Sequence, residues 1–301
     1  MTAGAVYWEV ALPAGADAAE ALANFLWEQG ALGVVEEESA GDRWVLRAFF
    51  PPDRDAADLA GRLERYAASL AVLGLAAGPP AVRPLADPGW HDAWRRYFRP
   101  LPIGRRLLVV PPWERADADG GRLPLVIEPG RAFGTGHHAS TAGCLVRLEA
   151  ALERWTPDRM LDLGAGSGIL AIAAARLGVP RVIAVDEDPD AVAAIQANAA
   201  RNAVADRVVV RLGDVATLPL AAAPLVAANL LGAAHRRLAA VYRRLVEPGG
   251  RLILGGLLAE EAAGVAGALA IEGFSPAASV SREGWITLDL VQSRSGDPGR
   301  R

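Results

Sequence analysis

The chain has 301 residues, 52% of them hydrophobic, a formal net charge of −4 and a single cysteine. That length holds two domains with real cores, while Arg, Asp and Gly interrupt the apolar runs too often for a bilayer span, so no membrane contact is expected. The charge gives no general pull toward nucleic acid, and Cys144 alone rules out an internal disulfide and fits a reducing cytosol. The opening MTAGAVYWEVALP lacks a basic run followed by an apolar one, so no secretory signal is expected. All 31 basic residues are arginine, which we read as compositional bias.

Residues 6–12 alternate, with Trp8, Val10 and Leu12 on one face, and predict a strand. Leu22, Phe25 and Leu26 ahead of Gly30 predict a helix. Two strands follow at 31–38 and 43–50 around the Ala40-Gly41 turn. A second helix carries Leu59, Leu63, Tyr66 and Leu70 at helical spacing, and 81–85 reads as a fourth strand. The order βαββαβ is the ferredoxin-like split unit. Residues 1–78 are assigned to it as a substrate-recognition domain, the plainer alternative being oligomerisation or stability.

Gly78-Pro79-Pro80 and Asp87-Pro88 break the pattern and open a connector over 79–120. Within it, 89–99 predict a short helix with Trp90, Trp94, Tyr97 and Phe98 at spacings of three and four, a pattern that favours packing over ligand contact. Residues 107–110 read as a strand leading into the catalytic half, 121–292.

That half opens with an apolar strand at 123–128 running into EPGRAFGTGHHAST, residues 128–141. Gly134 and Gly136 allow close backbone approach, and Thr135, Ser140 and Thr141 supply small hydroxyls, so the loop reads as a lid over a ligand, with Phe133 walling the site. His137 and His138 raise the question of metal, but zinc needs three or four ligands and the chain offers too few, so no metal is expected. One of the two can line the substrate entrance.

The stretch MLDLGAGSGIL, residues 160–170, joins a strand to a helix through Gly164, Gly166 and Gly168. Glycines there let the chain turn sharply and let a ligand approach bare backbone beside a helix N-terminus. The spacing is G-x-G-x-G, not the dinucleotide G-x-G-x-x-G. Asp162 faces the turn, where a carboxylate would repel a pyrophosphate but suits a cationic amino-acid end. Read this way, the turn holds S-adenosylmethionine (SAM).

Asp186 ends the next strand about 20 residues beyond the first glycine, the interval at which a carboxylate accepts from ribose hydroxyls. Asp188 fits better as the cap of the helix that Pro189 opens. The strand over 207–212 leads to Asp214, placed near the adenine ring. The strand over 224–228 ends at Asn229, which points into the switch-point crevice. The helix over 233–246 carries His235, Arg236 and Arg237, read as a solvated face. Residues 251–255 predict a strand, 259–272 a helix, 279–284 a hairpin-like link and 285–291 a final alternating strand. The polar tail at 293–301 is expected to be disordered. The fold class is α/β: a Rossmann-like, doubly wound, mostly parallel seven-stranded sheet of the class I methyltransferase plan, with an N-terminal ferredoxin-like α+β domain.

Together these segments resemble the ribosomal protein L-11 methyltransferase family across nearly the whole chain. The matches are WHDAWRRYFRPLPIG, IEPGRAFGTGHHAST, LDLGAGSGILAIAAARLG and VAANLL; Asn229-Leu230-Leu231-Gly232 departs mildly from the family's Asn-Ile-Leu-Ala. The resemblance implies SAM contacts from Thr141, Gly164, Asp186 and Asn229, and trimethylation of lysine ε-amino and N-terminal α-amino groups of ribosomal protein L-11, free or on the large subunit. It also implies that the N-terminal domain binds that protein and that the connector is flexible. Asp162, Gly166, Gly168, Thr135, Gly136 and Asp214 complete the expected SAM set, and Asn229 and Phe133 the catalytic one. A cytoplasmic monomer with at most a peripheral contact to ribosomal RNA is expected. The rival readings are a SAM-dependent enzyme for another protein or a small amine, an NAD-dependent oxidoreductase, and a non-catalytic binding protein. The glycine spacing and Asp162 disfavour the second, and the intact crevice residues the third.

Overall fold

The structure, a computed structural model, describes residues 7–294 except 32, 40–42, 52, 73, 86–98, 115–120 and 130–137. It divides into two compact units, Met1–Arg99 and Pro100–Arg301. In the first, β1 (Tyr7–Gly15), α1 (Ala16–Glu28), β2 (Gly33–Ser39), β3 (Arg43–Phe50), α2 (Ala56–Val72) and β4 (Ala81–Leu85) follow in the predicted order. The sheet runs β2-β3-β1-β4 with every neighbouring pair antiparallel, which is the ferredoxin-like arrangement. Strand alternation sets its faces. Val10 and Leu12 of β1 and Leu46, Ala48 and Phe50 of β3 are buried in one cluster with Leu22 and Leu26 of α1 and Leu59 and Leu63 of α2. The other face carries an alternating charge ladder across all four strands, Glu37 to Arg47 to Glu9 to Arg83, at 2.8, 2.6 and 2.8 Å. Burial pushes the Glu9 carboxyl up, but bonds from Arg83 and Arg47 more than offset it and hold it below its ordinary value. Because β4 pairs with β1, the unit extends past residue 78. The aromatic helix expected at 89–99 falls almost wholly outside the described residues.

The second unit opens with a small sheet, β5 (Leu101–Ile103), β6 (Leu107–Val110) and β7 (Leu123–Val126). Helix α3 (Ala139–Leu152) follows. Then come β8 (Met160–Leu163), α4 (Ile169–Arg176), β9 (Val182–Asp186), α5 (Pro189–Arg201), β10 (Val208–Leu212), β11 (Ala223–Asn229), α6 (Gly232–Leu245), β12 (Val246–Leu258), α7 (Ala259–Ile271), β13 (Phe274–Arg282) and β14 (Trp285–Gln292). The main sheet has the order β10-β9-β8-β11-β12-β14-β13. Its first five strands are parallel, and β14 is antiparallel to both neighbours. This is the doubly wound class I methyltransferase sheet. One face packs on α3, α4 and α5 and the other on α6 and α7. The chain leaves β8 toward β9 and β10, then crosses back to β11, so the ends of β8 and β11 flank the switch point where such sheets bind ligands.

One strand departs from expectation. The link foreseen at 279–284 is the end of β13, closed by a two-residue turn with positive φ at Glu283 and Gly284, 50° and 82°. Pro276 obscures this strand in the sequence, and the structure tolerates it because β13 is the sheet's edge and its register shifts between Pro276 and Ala278. Beside it, the fully buried Asp289 of β14 accepts from Arg147 of α3 and Arg251 of β12, at 2.6 and 2.5 Å, joining three elements through one carboxylate. Among the described residues no helix is long and apolar enough to cross a membrane.

Candidate functional site

The crevice is built on backbone that only glycine adopts readily. Gly164, Gly166 and Gly168 all have positive φ, 68°, 54° and 79°. A Cβ on Gly164 would lie 2.6 Å from Leu230 Cδ2, and one on Gly168 2.9 Å from Ile195 Cγ2. The first glycine therefore admits the chain leaving β11, and the third admits α5 while opening α4.

Two carboxylates hold the turn. Asp162, only 1% exposed, accepts from the Ala171 N–H in the first turn of α4 through Oδ2, at 2.8 Å. Its Oδ1 is buried with no hydrogen-bond partner among the described residues. Burial pushes this carboxyl up to about 7, the Ala171 N–H pulling the other way and the Asp186 charge adding to the rise. Asp186, at the end of β9, accepts from Gly166 N at 2.8 Å and from Asp188 N at 3.0 Å. It thus ties the turn to the start of α5 with lone pairs left over. Asp188 caps α5, its side chain accepting from Asp190 N at 2.9 Å. Gly213 N donates to Asp186 O at 2.8 Å, which brings the exposed Asp214 beside the end of β9.

Across the switch point, Asn229 at the end of β11 donates from Nδ2 to Thr141 Oγ1 of α3 at 3.2 Å. Its Oδ1 is the second buried acceptor without a partner among the described residues. Gly255 of β12 pairs with Asn229 in register, and a Cβ there would lie 2.7 Å from Asn229 Oδ1 and 2.3 Å from Cys144 Sγ. Burial pushes the Cys144 thiol up to about 12, so it is a packed, unreactive group.

A family model described as ribosomal protein L11 methyltransferase (PrmA) matches residues 6–293. The chain belongs to that family. A relative from Geobacter sulfurreducens named ribosomal protein L11 methyltransferase is 40% identical over 302 residues, covering 93% of this chain and 96% of its own. One of the same name from Symbiobacterium thermophilum is 34% identical, covering 94% and 98%. A crystal structure of a ribosomal protein L11 methylase from Lactobacillus delbrueckii subsp. bulgaricus superposes with a TM-score of 0.59 at 24% identity, over 66% of this chain and all of that one. That last likeness bears on the fold alone.

The cofactor of this family is SAM, and the donor set fits it. SAM carries an ammonium and a ribose diol and has no phosphate. The crevice offers two buried acceptors without a partner among the described residues, Asp162 Oδ1 and Asn229 Oδ1, and the Asp186 carboxylate. Phe133, Thr135 and Gly136 lie outside the described residues, as does His137. His138 is the N-cap of α3: its Nδ1 accepts from Ser140 N at 3.3 Å and faces Ser140 Oγ at 2.7 Å. Its ring meets Trp285 edge-on at 4.6 Å, and burial lowers it to about 4. Among the described residues no cluster of His, Cys, Asp and Glu could hold a metal ion.

One reading is overturned. His235, expected on a solvated face, is fully buried, while Arg236 and Arg237 are exposed. The signal was present in the sequence: positions 235, 238, 242 and 245 form one helical stripe, and all four side chains are buried.

A second pair of polar residues carries no motif. Asn198 of α5 donates to Ser167 O in the glycine turn at 3.0 Å and accepts from Glu128 N at 3.1 Å. Asn202 pairs with both backbone groups of Val126, at 2.8 and 2.7 Å, closing the free edge of β7. Together they fasten the segment before the 130–137 loop to the cofactor turn. Asn198→Ala deletes both hydrogen bonds and is expected to cost about 2 kcal/mol. Urea unfolding will read that loss.

Proposed function

We propose that this chain is a SAM-dependent methyltransferase acting on amino groups of ribosomal protein L11, lysine ε-amino and N-terminal α-amino groups alike, up to the trimethylated state. The observation that carries it is the Asn229–Thr141 pair at the switch point, with the Asn229 carboxamide oxygen buried and unpartnered among the described residues, on the strand next to the one that enters the glycine turn held by Asp162 and Asp186. In this reading Gly164, Gly166, Gly168, Asp162 and Asp186 hold the cofactor, with Asp214 beside the adenine and Thr141, Thr135 and Gly136 closing the site. Asn229 and Phe133 face the reacting amine. The first unit, which runs past residue 78 through β4, recognises the protein substrate, and the second carries the chemistry. The enzyme acts as a cytoplasmic monomer on L11, free or on the large subunit, touching ribosomal RNA at most peripherally.

Bound SAM supplies an electrophilic methyl group. The chain's own task is to deliver a neutral amine in line with it. A lysine with its ordinary pKa of about 10.4 is neutral only about once in a few thousand at pH 7. A dry crevice beside the positive cofactor favours the neutral form. Asn229 Oδ1 accepts a hydrogen from that amine and fixes its direction, while Thr141 holds the amide. His235 has both ring nitrogens engaged within the fold and Cys144 is buried as a thiol, so neither serves as the base. Alignment supplies most of the acceleration.

Asp162 gives the test. Its ordinary value is 3.8 and its native value about 7, so the ligand-free native state holds a proton that the unfolded chain releases. Native stability therefore falls as pH rises between those values. A cationic ligand end beside Oδ1 reverses this, so SAM binding is expected to release a proton near pH 7, with affinity rising up to pH 7 and levelling above it. Calorimetry in buffers of different ionisation enthalpy reads the release, which Asp162→Asn should abolish. Binding of NAD in place of SAM would overturn the reading.

A further inference from the structure

Three residues outside the expected set converge beneath Asn229. The Gly255 carbonyl accepts from Leu230 N at 3.3 Å and lies 2.8 Å from His235 Nε2. The other ring nitrogen, Nδ1, lies 2.8 Å from the Tyr242 hydroxyl. A carbonyl can only accept, so Nε2 carries the hydrogen, Nδ1 is bare and Tyr242 donates to it. Both side chains are fully buried, and burial holds His235 near 4, neutral at working pH.

We propose that His235, set by Tyr242, is a positioning residue for methyl transfer: it fixes the Gly255 carbonyl, and through it the Asn229–Leu230 turn, so that the Asn229 carboxamide points into the crevice. This rests on the reading of Asn229 given above. The geometry supports it from three sides. Gly255 is the strand partner of Asn229 and abuts its Oδ1. Leu230, which shares the Gly255 carbonyl with His235, packs on Gly164. The ring and the hydroxyl occupy an otherwise apolar cluster of Leu238, Leu245, Leu254 and Val265. Burying an imidazole and a phenol there is unfavourable compared with an apolar pair of similar volume. Their return is direction, one defined orientation of the turn.

The test compares His235→Leu, His235→Gln and Tyr242→Phe with the wild type. The amide nitrogen of a glutamine replaces Nε2 as donor, whereas leucine offers none. His235→Leu is expected to stay folded while kcat falls about 10-fold with KM for the protein substrate little changed, and His235→Gln to regain most of it. Tyr242→Phe is expected to lose about 3-fold, since the ring keeps its donor but not its lock. Calorimetry with S-adenosylhomocysteine should show weaker binding to His235→Leu, and long-range nitrogen–proton NMR of the ligand-free enzyme should show the Nε2–H tautomer. A ring protonated at Nδ1 would overturn the proposal, as would wild-type kcat in Tyr242→Phe and in every folded His235 variant. If His235→Leu does not fold, the tautomer and the other two variants still decide. Asn229→Ala separates the two claims: normal turnover there sinks the reading of Asn229, while inactive Asn229→Ala beside fully active His235 and Tyr242 variants sinks this one alone.

Discussion

Asn229→Ala is expected to fold as the wild type does and to lose on the order of 10²-fold in kcat. The residue is the last of β11, and among the described residues its side chain makes one hydrogen bond, Nδ2 to Thr141 Oγ1 at 3.2 Å. Losing one such hydrogen bond costs about 1 kcal/mol. The catalytic loss is larger because the substitution deletes Oδ1, the buried acceptor that the fold leaves unpartnered among the described residues. Without it a bound amine keeps its position but not its direction. Steady-state kinetics at saturating SAM, with a melting curve, separates the two effects. Thr141→Val should be milder, since it frees the amide without removing it. Turnover near the wild-type value in Asn229→Ala would take Asn229 out of the chemistry.

The second large effect concerns Gly256. It has φ of 75°, and a Cβ there would lie 2.3 Å from Leu230 O and 2.9 Å from Leu230 C, which are backbone atoms. A flexible side chain could swing aside; the main chain of the turn after Asn229 cannot. The register of β12 against β14 shifts between Leu254 and Leu257, so Gly255 and Gly256 form an irregularity that lets the β11 turn cross the strand end. Gly256→Ala is therefore expected to destabilise the catalytic unit by about 3 kcal/mol, combining a strained φ with overpacking. Denaturant unfolding will show a lower midpoint with the slope unchanged. A stability equal to wild type would mean that the turn is free to move, and the directional argument for Asn229 would weaken with it.

Much of this was legible in the sequence, for identifiable reasons. The three glycines at 164, 166 and 168 announce positive φ because few other residues tolerate it. Strands buried on both faces, such as β8 and β11, read as short apolar runs. Asp188 and Pro189 mark the start of α5 by their own chemistry. What escaped depends on partners far along the chain. Gly255 and Gly256 look like ordinary strand residues until Asn229, Leu230 and Cys144 are brought against them. Asn198 and Asn202 match no motif, since they bond to backbone, and backbone contacts leave no residue-type signature. His235 is adjacent in sequence to Arg236 and Arg237, which face solvent, but its seven-residue spacing to Tyr242 puts it on the buried stripe. The edge strand β13 hid behind Pro276 and its small polar residues.

The most direct test of the account is intact-mass spectrometry of ribosomal proteins, purified in unmethylated form and incubated with the enzyme and SAM. Ribosomal protein L11 should gain mass in steps of one methyl, with fragments placing them on lysine ε-amino and N-terminal α-amino groups, and Asn229→Ala should leave it almost unchanged over the same period. An L11 mass that stays constant while another protein or a small amine is methylated would contradict the account.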